Sequence, residues 1–241
     1  MHRLLVPSEA LVAETVALPR DAAHHLKVLR PKPGETIELF DGQGHTRTYA
    51  WSPEGLHATG ERKSLTPPSR KLTLFACVTK GSRWDWTIEK AVELGVARIV
   101  PVISDRCIVR LSSAERPAKA ERWMRIAEDA ARQSDAVWLP EVLPAVDFSE
   151  ALALVRTCDH VFVGALTNPP PPPLLTAISS DSPGANLGFF VGPEGDFTPE
   201  ELSALLEIAT PVSLGPTILR AETAAIYGVA VLAAAADRDR T

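Results

Sequence analysis

Cysteine is scarce in this chain. Cys77, Cys107 and Cys158 are the only three in 241 residues, and no two form a CxxC pair. That spacing argues against a cysteine-built zinc site and against a disulfide framework, and it fits a reducing cytoplasm. Long apolar runs are missing as well. The first ten residues, MHRLLVPSEA, have no continuous apolar core of the kind a secretory signal requires. The longest weakly polar stretch, residues 223–236, is short and alanine-rich, so it reads as a buried core helix and no membrane span is expected. Neither GxGxxG nor GxxxxGK[ST] occurs. The loop after the first continuous apolar strand is Thr79-Lys80-Gly81-Ser82, with a single glycine. A dinucleotide-binding fold, the common methyltransferase fold and a P-loop would each place a glycine-rich turn there. His24 and His25 have no further metal-ligating residues at suitable spacing, so no metal site is expected.

Charge of one sign is also modest. The net charge is −5 and the pI is near 5.7, which argues against a protein that coats nucleic acid indiscriminately. The charge is uneven, however. Residues 1–71 hold ten Lys/Arg against eight Asp/Glu, residues 72–160 twelve against thirteen, and residues 161–241 three against nine. Five of the six histidines precede residue 60. If a polyanion is bound, the first part of the chain is the better partner for it, although scattered solvated charge would give the same small excess. With 45% hydrophobic and 23% charged residues, the composition is that of an ordinary globular protein.

The chain reads as two parts. In the first, residues 35–40 (ETIELF) alternate as a strand, Asp41-Gly42-Gln43-Gly44 supplies turn chemistry, and residues 45–51 and 55–60 continue as strands. Residues 21–30 (DAAHHLKVLR) form a short helix closed by Pro31. Several short strands without long helices suggest a small β-barrel. The junction Leu65-Thr66-Pro67-Pro68-Ser69 divides the chain into domains of 1–68 and 69–241. Beyond it strands alternate with helices. Strands are expected at 72–78, 98–103, 160–166, 187–191 and 212–214, and helices at 84–94, 118–133, 198–208 and 221–236. This is the rhythm of an α/β domain with a mostly parallel sheet. The helix at 198 has a clear start: Thr198 as cap, Pro199 behind it, Glu201 three residues on. The five prolines 169–173 read as an exposed polyproline II loop.

Ligands of open α/β sheets bind beyond the carboxyl ends of the strands. Two glycine-rich loops stand there late in the chain: Gly192-Pro193-Glu194-Gly195-Asp196, and Leu214-Gly215-Pro216-Thr217-Ile218-Leu219-Arg220 leading into Ala221-Glu222-Thr223. Each alone has a bland reading. The first is a strand-to-helix turn, Glu222 can simply complement a helix dipole, and Arg220 can be a surface arginine. Together they make a stiff cradle of backbone donors and acceptors suited to a flat polar ligand such as an adenine ring.

These motifs carry a resemblance. Residues 189–202 (FFVGPEGDFTPEEL) followed by 212–229 (VSLGPTILRAETAAIYGV) resemble the RsmE family, bacterial 16S ribosomal RNA (uracil-N3)-methyltransferases of the SPOUT class. Residues 88–96 (IEKAVELGV), Ser104-Asp105-Arg106-Cys107, Gln133-Ser134 and Pro140-Glu141 match in order. In the first part, residues 24–30 (HHLKVLR) and Phe40-Asp41-Gly42 resemble a PUA-like RNA-binding domain. The resemblance implies a SPOUT-type sheet with a deep C-terminal trefoil knot behind a PUA-like barrel. It further implies methyl transfer from S-adenosylmethionine to N3 of a uridine in 16S ribosomal RNA of the small subunit, and a homodimer. It assigns Arg220, Glu222 and Arg106 to catalysis. Arginine stays protonated and can hold an anionic uracil edge, and Glu222 either orients Arg220 or accepts a proton. To the cofactor fall Gly164, Leu166, Gly192, Pro193, Glu194, Gly195, Leu214, Gly215, Ile218, Leu219 and Thr223, and to RNA Arg3, His25, Lys27 and Arg30. A histidine pair such as His24 and His25 on a short helix is more often packing than a ligand. Two departures stand out: Asp196 where the family has glycine, with an unusual backbone expected there, and Asp135-Ala136 where it has Gly-Arg. Readings as a methylase of transfer-RNA ribose, as a binding protein without catalysis, or as a small-molecule α/β enzyme compete with this one.

Overall fold

The computed structural model describes residues 2–178 and 185–237. They group into two compact units. One comprises Met1–Pro67 with Glu128–Leu139, and the other Pro68–Ala127 with Pro140–Thr241.

The first unit holds strands β1 (His2–Leu5), β2 (Thr15–Val16), β3 (Thr36–Phe40), β4 (His45–Ser52), β5 (Gly55–Ala58) and β6 (Lys63–Ser64), with helix α1 (Arg20–Leu29) between β2 and β3. The sheet runs β1-β3-β4-β5-β2, with β6 on β4, and every pair except β1–β3 is antiparallel. Alternation fixes its inner face: Leu4, Ile37, Leu39, Tyr49 and Leu56 are fully buried with Leu11 and Leu26. The Tyr49 hydroxyl donates to the carbonyls of Ala10 and Ala13, at 3.1 and 3.2 Å, so this buried phenol is satisfied. The expected turn at residues 41–44 is built as the residue types demand. Gly42 and Gly44 take φ of 71° and 88°, and the Asp41 carboxylate accepts from Ser8 Oγ, Gln43 N and His45 N. A side chain on either glycine would strike the segment docked on the turn. A Cβ on Gly44 would lie 2.2 Å from the Trp138 ring, and one on Gly42 2.5 Å from Leu139. Backbone bonds Gly44 N to Val137 O and Leu139 N to Gly42 O, both 2.9 Å, complete the docking. This is why 128–139 joins the first unit.

The second unit holds β7 (Leu72–Cys77), α2 (Ser82–Glu93), β8 (Arg98–Ile103), α3 (Arg116–Gln133, whose last turns count with the first unit), β9 (Glu141–Val142), β10 (Val146–Asp147), α4 (Phe148–Val155), β11 (His160–Gly164), α5 (Leu174–Ala177), β12 (Leu187–Val191), α6 (Pro199–Leu206), β13 (Thr210–Val212) and α7 (Ala221–Asp237). The sheet runs β10-β8-β7-β12-β11-β13, with β9 on β8, and all its pairs are parallel. Its central strands are buried on both faces, as their unbroken apolar runs require: every residue of β7 and β12 is buried. Phe75 and Phe190 stack across them at 5.4 Å, and Phe197 meets Phe190 edge-on at 5.7 Å. The expected last strand, 212–214, forms two residues earlier, at Thr210–Val212. Helix α4 was not expected, although Asp147 and Glu150 spell a capping box: Asp147 N donates to Glu150 Oε2 at 2.9 Å.

Helix α7 lies against the sheet through a residue with no side chain. A Cβ on Gly228 would fall 1.9 Å from Phe189 Cε1, and Phe189 is fully buried. Alanine ordinarily stabilises a helix interior over glycine by about 0.5–1 kcal/mol. Gly228→Ala is expected to reverse that sign and lower stability by about 1–3 kcal/mol through overpacking, read as a lowered urea midpoint. An unchanged or raised midpoint would mean α7 does not press on Phe189.

Candidate active site

Strands β12, β11 and β13 are parallel neighbours, so their carboxyl ends deliver three loops to one edge of the sheet. The loops enclose a hollow of about 350 Å³, within the range of small-molecule sites.

The loop after β12 is held from below. Thr198 caps α6, with Glu201 N donating to Thr198 Oγ1 at 3.1 Å and Thr198 N to Glu201 Oε2 at 3.0 Å. The other oxygen of Glu201 accepts from Asp105 N at 2.8 Å, tying the loop after β8 to this cap. Arg106 donates to the carbonyls of Gly195 and Phe197, at 3.1 and 3.2 Å. Gly192 and Gly195 are small for packing reasons: a Cβ would sit 3.0 Å from the Phe197 ring and 3.2 Å from Arg106 Cβ, respectively. Asp196 takes φ of 59°, the left-handed backbone expected where the family has glycine, and its own carboxylate accepts from Phe197 N at 2.8 Å. Beneath the loop after β8, Ser104 bonds both buried thiols, Cys77 and Cys107 at 3.4 and 3.3 Å, and burial pushes Cys77 up.

The loop after β13 is pinned to the proline run. Ser213 N donates to Pro172 O and Leu174 N to Ser213 O, at 2.9 and 3.0 Å. Gly215 has φ of 126° and nothing within 4 Å of the place a Cβ would take, so a ligand can approach bare backbone there. Ile218 and Leu166 line the hollow while 81% and 66% exposed. Apolar side chains so placed are surfaces without a cover.

Most of the residues expected at the cofactor do face this hollow: Gly164, Leu166, Gly192, Pro193 and Glu194 from two loops, and Leu214, Gly215, Ile218 and Leu219 from the third, with Arg220 beside them. Gly195 and Thr223 do not line it. Arg106 is not brought there either; its guanidinium braces the GPEGD loop from outside. Glu222 lies behind the hollow, and no hydrogen bond joins it to Arg220 among the described residues. Its Oε1 is 3.7 Å from Arg83 Nε, and Arg83 Nη1 reaches Glu194 Oε1 at 3.5 Å. No local pattern marks Arg83; its role is visible only from its place in the first turn of α2, opposite two acids distant in sequence. Asp196 and Ser213, which also line the hollow, were passed over beside chosen neighbours.

In the first unit the expected RNA contacts divide. Arg3 must be corrected. It is 4% exposed, its Nε donates to Glu38 at 2.7 Å, its Nη1 to Ala131 O at 2.8 Å and Ala136 O at 3.3 Å, and it lies over the Phe40 ring at 4.3 Å. A guanidinium so buried and engaged holds the 128–139 segment in place and is withdrawn from the surface where a phosphate would meet it. His25 is half-buried, and burial followed by the Arg132 charge lowers its pKa, which disfavours the charged form that would attract a phosphate. Lys27 and Arg30 are exposed.

Comparison with known proteins adds the following. The family model of an RNA methyltransferase domain matches residues 66–233, and that of an RNA methyltransferase PUA domain residues 18–50. The chain is 31% identical over 235 residues to a ribosomal RNA small subunit methyltransferase E of Synechocystis sp., covering 95% of this chain and 76% of the relative. It is 28% identical over 233 residues to the enzyme so named from Bacillus subtilis, covering 91% and 90%. A crystal structure of a ribosomal RNA small subunit methyltransferase E from Neisseria gonorrhoeae, bound to S-adenosyl methionine, superposes with a TM-score of 0.83 at 32% identity over 96% of each chain.

The burial of Arg3 sets an expectation. Arg3→Ala leaves Glu38 and two carbonyls without their donor and should cost about 3 kcal/mol in urea denaturation of the full chain. A loss below about 0.5 kcal/mol would return Arg3 to the surface arginines.

Proposed function

The chain belongs to the family of ribosomal RNA small subunit methyltransferases E, and from that premise we propose that it methylates N3 of a uridine in 16S ribosomal RNA with S-adenosylmethionine as donor. The observation that carries the reading is the three-loop hollow at the carboxyl edge of β12, β11 and β13. Its residues suit this donor. Leu166 and Ile218 offer uncovered apolar surface to a flat ring, the bare backbone at Gly215 can face the edge of that ring, and the carboxylate of Glu194 complements a cation. When bound, S-adenosylmethionine supplies a methyl group on positively charged sulfur.

The remaining chemistry falls to the chain and the base. N3 lies on the Watson–Crick edge, so the uridine must be unpaired or flipped out to present it. N3 must also lose its proton to solvent, and negative charge then spreads over the ring until methylation neutralises it. Arg220 is exposed at the hollow and cannot give up its proton, so it serves as the charge that holds the anionic edge. Arg83, between Glu194 and Glu222, fixes the start of α7 against the GPEGD loop and thereby positions Arg220. Arg106 acts through that loop in the same way.

Three further parts belong to this reading. The chain works as a homodimer, for which the exposed Tyr227 of α7 offers apolar surface. The carboxyl-terminal elements form the trefoil knot of the SPOUT class. The substrate is RNA of the small subunit, in the cytoplasm; no described helix is long and apolar enough to cross a membrane.

Small ribosomal subunits from cells lacking this protein, incubated with the chain and labelled S-adenosylmethionine, should yield labelled 3-methyluridine. Arg220→Ala should lower kcat/KM by about 10²- to 10³-fold, with cofactor affinity within a few-fold of wild type by calorimetry. Cofactor binding without any label in RNA would sink the enzymatic reading on this substrate. A labelled ribose would point to a different target atom.

A further inference from the structure

A second hollow, of about 400 Å³, lies wholly within the first unit. Ala23, Leu26 and Lys27 reach it from α1 at i, i+3 and i+4, one helix face, and Arg30 reaches it from the left-handed cap that ends the helix, with φ of 49°. Trp51 of β4 lines it from the sheet, half-buried, and also packs on the core of the unit. The hollow is thus an aromatic surface held rigid on its inner side and open on the other. Its rim is polarised. Lys27 and Arg30 are exposed, and neither side chain has a hydrogen bond or ion pair among the described residues. The exposed carboxylate of Glu54 stands on the β4–β5 side. The charge around the helix leans one way: residues 20–32 hold Arg20, Lys27, Arg30 and Lys32 against Asp21 alone.

This combination selects a ligand with a flat apolar face, a polar edge and a neighbouring anion. We propose that the hollow takes one unpaired base of single-stranded RNA, stacked on Trp51, with the adjoining phosphates on Lys27 and Arg30 and the N–H edge of the base toward Glu54. The proposal rests on the reading of RNA as substrate and deepens it. It assigns the first unit a base-holding subsite of its own, where a basic surface alone would follow the backbone without engaging any base. A duplex has no free base face to offer, so the subsite distinguishes unpaired from paired RNA.

The test uses the full chain and labelled octauridylate, octaadenylate and an eight-base-pair RNA duplex, followed by fluorescence anisotropy. Both single strands should bind more tightly than the duplex. Trp51→Leu, which keeps apolar bulk in the core contact, should weaken single-strand binding by about five- to a hundred-fold, the range of one lost base stack. Ala23→Phe fills the hollow from the helix side while leaving Trp51 in the chain and should weaken it likewise, so the test survives if Trp51→Leu fails to fold. Lys27→Ala with Arg30→Ala should make the plot of log affinity against log salt shallower by about 1.4, the value for two phosphates on a single strand. Duplex binding as tight as single-strand binding, wild-type affinity in both hollow variants, or no single-strand binding below about millimolar RNA would each overturn the proposal. Methyl transfer to small subunits by the wild-type chain, measured alongside, separates the two ideas. Transfer with Trp51-independent binding removes the subsite alone, and Trp51-dependent binding without transfer removes the activity alone.

Discussion

Parallel pairing of β12, β11 and β13 is the constraint from which the rest of the second unit follows. Parallel strands need both faces covered, which accounts for the unbroken burial of β7 and β12 and for the helices interleaved with the strands. The same pairing aims three consecutive carboxyl ends one way, so loops far apart in sequence become neighbours. None of the three loops could shape a hollow alone. The loop after β12 is stiffened by Phe197, Arg106 and the cap at Thr198, and the loops after β11 and β13 stiffen each other through the bonds between Ser213, Pro172 and Leu174. Stiffness made before a ligand arrives lowers the entropy lost on binding.

The sequence was most legible where one local rule acted without competition. Arg98–Ile103 and Leu187–Val191 are apolar, bounded by turn residues, and appear with the boundaries expected of them. Thr198, Pro199 and Glu201 announced a helix start and built it. The strand near residue 212 was misplaced because Pro211 weakened its pattern, while its pairing with β11 is set by tertiary contact. Helix α4 was overlooked although its capping residues were in plain view. At the hollow, the glycine-rich loops could be read because glycine and proline carry local meaning. Arg83 and Arg3 could not. What an arginine does depends on which acids and carbonyls the fold brings to it, and for Arg3 the carbonyls lie more than a hundred residues away.

Two aspartates show how a chain leaves a family pattern without leaving its geometry. Asp135 and Asp196 occupy positions where the resemblance leads to an expectation of glycine, and both take the left-handed backbone, with φ of 57° and 59°. Aspartate is among the few residues that tolerate that region, because its short carboxylate can bond nearby backbone. Asp196 does so through Phe197 N, and Asp135 places Oδ1 3.5 Å from Arg3 Nε. The strain of a Cβ is thereby offset in part by a local contact, and the turn survives the exchange.

The docking of 128–139 on the Gly42–Gly44 turn bears on how the protein is made. The first unit reads as an amino-terminal cassette, but its Trp138 and Leu139 cover the turn and Arg3 finds its carbonyl partners in the same segment. A ribosome synthesising this chain releases all six strands of that sheet long before it releases the strip that seals it. Until residue 139 has emerged, the buried cation at Arg3 has only Glu38 to neutralise it and the glycine turn lies bare. The first unit therefore reaches its full set of contacts only once the segment through residue 139 is available, and the sealing of the amino-terminal sheet waits on a helix that belongs mostly to the other unit.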